Sequence, residues 1–279
     1  MSGSSCTADI TSTGCSPLNV ILPVHDSENS LLPFIHALKL AYATKGELEI
    51  VDVRTDSEST VYLGVRAILE KWGVLPGCSS RADVLSAGLK VKKIIKDGNK
   101  KKEIVKRLLR HCHDLLVIGT NNHSGFFGRD LAEYLADYFR HTTLFIPAGA
   151  KPFVNENNGS VSLKTILVPI KNGRYLPYLV RYVKLLSSIF PEIKPDVIAL
   201  HSGVDFPDLG DDFRALDWKL ETINESLIDA ILRSASAHNT DLIIMATGGK
   251  ESLSEYFTGT STMQVLHKCN CPLLSFTTH

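Results

Sequence analysis

No apolar run in this chain approaches the roughly 18 residues of a membrane span, so no segment reads as a spanning helix. Neither charge is in excess: 30 Lys and Arg stand against 30 Asp and Glu, with a pI near 7.1. That removes the electrostatic case for nucleic acid as the main partner. The six cysteines, Cys6, Cys15, Cys78, Cys112, Cys269 and Cys271, make no CxxC pair and no disulfide-like ladder, which points to a reducing cytoplasm. No GxxxxGK[ST] phosphate loop occurs. Residues 1–17 are rich in Ser, Thr and Gly and lack a basic region followed by an apolar core, so they read as a disordered tail rather than a signal peptide.

What is present is largely said twice. Asn19 to Glu28 reads NVILPVHDSE and Thr165 to Arg174 reads TILVPIKNGR; Asp114 to Asn122 reads DLLVIGTNN and Asp241 to Gly249 reads DLIIMATGG; Thr142 to Pro147 reads TTLFIP and Asn270 to Phe276 reads NCPLLSF. A repeat of this length means two copies of one domain, not a solenoid of short units. The expected organisation is a tail over 1–17, a first domain over 18–147, a linker over 148–163 rich in Asn, Gly and Pro, and a second domain over 164–279.

Within the first copy, Val20 to Val24 is a continuous apolar run suited to a strand covered on both faces. Helical spacing from Leu31 to Ala41 follows, then a strand over Leu48 to Val53, a helix over Val61 to Trp72, a strand over Leu89 to Ile95, a basic amphipathic helix over Lys100 to His111, a strand over Leu115 to Ile118, a helix over Leu131 to Arg140 and a last strand over Leu144 to Ile146. Strand alternating with helix predicts an α/β fold: two tandem, open, twisted five-stranded parallel sheets flanked by helices. Pairing Val53 with Ser202 gives an offset of 149 and pairing Asp114 with Asp241 gives 127, so the second copy is shorter by about 22 residues there. Gly203 to Asp217, rich in Asp, Gly and Pro, stands in the gap as a loop, a lid or a simple shortening.

The chemistry of the second copy gathers after its late strand. Ala246-Thr247-Gly248-Gly249 is followed by nine residues and then Gly259-Thr260-Ser261. Small residues let backbone N–H groups approach an anion, and the N-terminus of the next helix adds partial positive charge. The plain alternative is a glycine-rich turn with no ligand.

On these residues the stretch 18–276 resembles a tandem universal stress protein. Nucleotide-binding members of that family carry G-x2-G-x9-G-[ST] at this place, and an Asp in an ILVPVDGS-like segment ending the first strand. Gly249, the spacer, Gly259, Thr260 and the Cys271-Pro272 pair match; Ala246 replaces the first glycine. The resemblance implies a five-stranded parallel α/β sheet, and ATP (or ADP or AMP, with Mg as an accompaniment) held by the two turns, its adenine near Pro169, Ile170 and Lys171. The site implied is thus Pro169, Ile170, Lys171, Ala246, Thr247, Gly248, Gly249, Gly259, Thr260 and Ser261. Lys171 stands where those members have Asp, which reverses the charge and leaves the ligand's identity open. Copy one has His25 there, Asn121 and Asn122 after Gly119-Thr120, only five residues from Asn122 to Gly128, and Arg129 where Ser or Thr would follow; it is not expected to bind ATP in the family manner.

Weaker patterns remain. His111, His113 and His123 do not share one helix face as metal ligands should. Cys269 and Cys271 flank a turn, one expected to pack inward and the other to be exposed. Lys100, Lys101, Lys102, Lys106, Arg107 and Arg110 form a basic helix face, solvated or facing an acidic partner. Two function classes stand: a nucleotide-binding regulatory or stress-response protein, with an unidentified protein partner and at most slow ATP hydrolysis, and a ligand-independent scaffold. An AMP-transferring enzyme is a third, but His25-Asp26-Ser27 and Lys171-Asn172-Gly173 do not supply its phosphate loop. Members of the family pair their last strands, so Leu144 to Ile146 and Leu273 to Phe276 are expected to meet within the chain as an intramolecular pseudo-dimer, with a homodimer through other surfaces left open.

Overall fold

The computed structural model describes residues 16–24, 31–54, 64–120, 141–171, 173–247 and 259–277. The expected helix at Leu131 to Arg140, the start of the one at Val61, and His25, Asn121, Asn122, Gly128 and Arg129 lie outside them. The chain divides into two units, the first formed by residues up to Gly119 with Val154–Ser160, the second by Thr120–Phe153 and Val161 onward.

The first unit runs β1 (Asn19–Val24), α1 (Leu31–Ala43), β2 (Glu47–Arg54), α2 (Val65–Lys71), α3 (Arg81–Ser86), β3 (Lys90–Asp97), α4 (Lys100–Arg110) and β4 (Leu115–Thr120). β1 pairs in parallel with both β2 and β4, and β2 with β3. All but the first residue of β1 are buried, as its unbroken apolar run requires of a central strand. Gly46 stands just before β2 because nothing larger fits: a Cβ there would lie 2.1 Å from the Leu18 carbonyl oxygen. The sequence reading missed α3. Its start is a capping box in which the Ser80 hydroxyl accepts from the Asp83 N–H while Asp83 accepts from the Ser80 N–H at 2.6 Å.

The second unit runs β5 (Thr143–Pro147), β6 (Thr165–Pro169), α5 (Leu176–Ile189), β7 (Asp196–Ser202), α6 (Asp211–Arg214), β8 (Lys219–Ile223), α7 (Leu227–Ala237), β9 (Leu242–Thr247), α8 (Gly259–Lys268) and β10 (Leu273–Thr277). Its strand order is β5-β10-β9-β6-β7-β8, all parallel except that β5 runs antiparallel to β10, with Leu273 opposite Phe145 and Ser275 opposite Thr143. The last strands of the two repeats therefore do meet. Tyr182 of α5 stacks on Phe276 of β10 at 4.3 Å, and its hydroxyl lies 2.6 Å from that of Thr142.

One device recurs in both units. The N–H of Asp114, just before β4, donates to the Asn19 carbonyl, and its carboxylate accepts from the Asn19 N–H at 2.7 Å. Asp241, just before β9, does the same at the start of β6: its N–H donates to the Thr165 carbonyl, and its carboxylate accepts from the N–H groups of Lys164 and Thr165. The repeated Asp thus fixes the register of the late strand against the first.

Within the expected linker, Asn155 to Gly159 forms a tight turn: the Asn155 N–H donates to the Ser160 carbonyl and Trp72 Nε1 donates to the Glu156 carbonyl. Gly159 has φ +65°, and a Cβ there would lie 2.5 Å from the Trp72 ring. Both constraints call for glycine. No helix among the described residues is long and apolar enough to cross a membrane.

Candidate functional site

The order of strands in the second unit fixes where a ligand would sit. From β6 the chain crosses to β7 on one side; from β9 it crosses to β10 on the other. With right-handed crossovers, the helices after these two strands lie on opposite faces, which opens a crevice at the carboxyl ends of β6 and β9. The two strands are direct neighbours, with Ile166 beside Leu242 and Leu167 beside Ile243. Ile170, which follows β6, is therefore level with Ala246 near the end of β9.

Most of the residues singled out by sequence fall at this crevice. Pro169 ends β6; Ile170 is buried, and its N–H donates to the Leu200 carbonyl at 2.7 Å. Lys171 is exposed at the bend beyond. Ala246 is buried and paired with Phe276, and Thr247 is the last residue of β9. Gly259, Thr260 and Ser261 form the first turn of α8, whose N–H groups have no partner within the helix and can receive an anion. Gly248 and Gly249 lie outside the described residues. Among the described residues no group of three His, Cys, Asp or Glu could hold a metal ion.

Sequence reasoning missed His201. It sits near the end of β7, and its Nδ1 donates to the Ile170 carbonyl at 2.9 Å, so the imidazole is fixed over the ends of β6 and β7. The repeat contained the signal: the offset that pairs Val53 with Ser202 pairs His201 with Asp52, which is buried near the end of β2 and bonded to Arg54. Gly203 to Asp217 is neither a bare loop nor a mere shortening. Phe206 lies edge-on to His201 at 5.9 Å and stacks on Phe213, whose other neighbour is Trp218 at 5.8 Å. Leu209 lies 3.4 Å from the Cβ position of Gly173. This aromatic segment is laid over the carboxyl ends of β6 and β7, beside Ile170.

The weaker candidates resolve into local structure. Cys269 and Cys271 are both buried, contrary to the expectation that one would be exposed, because the Cys269 thiol donates to the Cys271 carbonyl across the turn. The Cys269 side chain and burial push the Cys271 thiol far above its ordinary range, so it is not a ready nucleophile. His111 and His113 take separate partners: His111 Nε2 lies 2.6 Å from Arg107, and His113 Nε2 lies 3.4 Å from the buried Glu49 carboxylate.

Comparison with known proteins agrees with the fold. Residues 209–276 match the universal stress protein family. That stretch holds α6, β8, α7, β9, α8 and most of β10. A universal stress protein from Archaeoglobus fulgidus superposes with a TM-score of 0.61 at 17% identity, covering 95% of this chain and 97% of its own. A functionally unknown Pseudomonas aeruginosa protein superposes with a TM-score of 0.57 at 12% identity, covering 93% of this chain and 92% of its own. At these identities the likeness is one of fold, and it extends over both units. No curated protein matches by sequence.

Proposed function

We propose that this chain is a tandem universal stress protein whose second unit binds ATP, or ADP or AMP, in the crevice at the ends of β6 and β9, and that it acts as a cytoplasmic regulatory protein of the stress response. The observation that carries the reading is the coincidence of three things at one place: the β6–β9 crevice, the first turn of α8 at Gly259-Thr260-Ser261, and the family match over 209–276. Backbone N–H groups of that turn would take the phosphates. Ile170 would border the adenine, and exposed Lys171 would add positive charge beside the phosphates rather than a carboxylate beside the ribose. No general base stands among these residues, so hydrolysis would be slow at most. Thermal unfolding of the purified chain with ATP, ADP and AMP tests the reading. A midpoint raised by a nucleotide for the native chain and not for Gly259→Glu supports it; equal midpoints with and without millimolar nucleotide refute it.

A second reading, the ligand-independent scaffold, has its own observation. The His201–Phe206–Phe213–Trp218 cluster covers the ends of β6 and β7 next to Ile170, on the side where the base would lie. If that cluster closes the base position, nucleotide binding should appear only after Phe206→Ala.

A further inference from the structure

The balanced charge of the chain conceals one strongly basic surface. Of its 30 Lys and Arg, ten lie in the 21 residues Lys90 to Arg110, which hold only two acids, Asp97 and Glu103. The fold places this segment at a sheet edge: β3 pairs with β2 and, among the described residues, with no other strand. An edge strand leaves a row of backbone N–H and C=O groups without ladder partners.

The two faces of that edge differ. Glu49 of β2 is bonded to Arg107 of α4, and Lys92 is its neighbour in register. Side chains alternate along a strand, so Lys90, Lys92 and Lys96 share the face that α4 covers. Lys92 makes one ion pair, with Glu47 at 2.7 Å, and its side chain is still 56% exposed. α4 adds exposed Lys102, Lys106 and Arg110. The opposite face of β3 carries Val91, Lys93, Ile95 and Asp97; Lys93 is exposed, and Ile95 is 48% exposed.

We infer that β3 is a docking edge for an extended peptide segment of another protein that alternates acidic and apolar residues. Such a strand would continue the sheet through its backbone, set its carboxylates against the lysines on the α4 face, and set its apolar side chains beside Val91, Ile95 and the aliphatic stem of Lys93. A second copy of this chain fits less well, because edge-to-edge pairing would oppose lysine with lysine. Nucleic acid fits less well too: residues 90–110 contain no aromatic side chain on which bases could stack.

The test is fluorescence anisotropy of the full chain with a labelled ten-residue peptide alternating glutamate and valine. Binding is expected, and it should weaken about tenfold when alternate peptide amides are N-methylated, which blocks strand pairing without changing charge. Lys90→Glu with Lys96→Glu should abolish it and confer binding to the corresponding lysine–valine peptide, a gain that a misfolded variant could not show. The inference is overturned if the peptide does not bind, if N-methylation leaves affinity unchanged, if charge reversal has no effect, or if an oligothymidylate of equal charge displaces the peptide more effectively than unlabelled peptide does.

Discussion

Two buried titratable residues of the first unit set its acid stability, each in its own pH window. His36 is fully buried in α1 with Nδ1 donating to the Leu32 carbonyl, and burial lowers its pKa to about 4. The unfolded imidazole takes up a proton near pH 6.5, so protons favour the unfolded chain between these values. Stability is fully present above about pH 6.5 and falls, by about 3 kcal/mol, as pH drops towards 4. His36→Phe should flatten that limb in urea unfolding curves taken from pH 7 to 4. Glu49 works lower. Burial alone would raise its pKa, but hydrogen bonds from Arg107 and His113 outweigh burial and hold it at about 2. Its contribution is present above the unfolded carboxyl range and is lost only as pH falls through about 2. Arg107→Ala leaves the carboxylate buried without its main partner and should cost about 3 kcal/mol at pH 7, measured by the same unfolding curves; Glu49→Gln in that background should recover part of it. Neither role is legible in the sequence. An Arg and a Glu separated by 58 residues carry no local pattern, and a histidine on an apolar helix face reads equally as buried or surface.

At the scale of elements, the repeated Asp before each late strand makes the two units comparable. Asp241 is 2% exposed; it accepts from two backbone N–H groups and from Lys151 at 2.7 Å. Asp114 is only partly buried and accepts from one N–H, that of Asn19. Asp241→Ala should therefore destabilise by about 3 kcal/mol and Asp114→Ala by about 1 kcal/mol, read from denaturant midpoints; equal losses would mean that the contact does not act as a register lock. Most elements were legible because period and length agree: β1, β4, β6 and β9 are built on short apolar runs, and α4 shows its buried Ile104 and Leu108 at helical spacing. What escaped was short or defined by tertiary contact. α3 is a six-residue helix signalled by Ser80 and Asp83 alone. The Gly203 to Asp217 segment looks like loop composition, yet Phe206 and Phe213, too few to set a period, fold it onto His201.

For the whole molecule, the sequence pointed to the site through the glycine turns of the second copy and their spacing. It could not show that β6 and β9 are neighbours, with Ile170 level with Ala246, since that depends on strand order, nor that His201 bonds to the Ile170 carbonyl. In the second unit β6 and β9 run side by side and Gly259-Thr260-Ser261 open α8; in the first, the basic strand β3 lies at a sheet edge. The proposed nucleotide site and the proposed docking edge lie in different units and can be tested independently. The most direct measurement of the nucleotide site is mass spectrometry of small molecules released from the purified native chain, quantified against protein. An adenine nucleotide at about one per chain is expected, and none from Gly259→Glu. A native chain that carries none, and that takes up none from millimolar ATP, would contradict the proposed site.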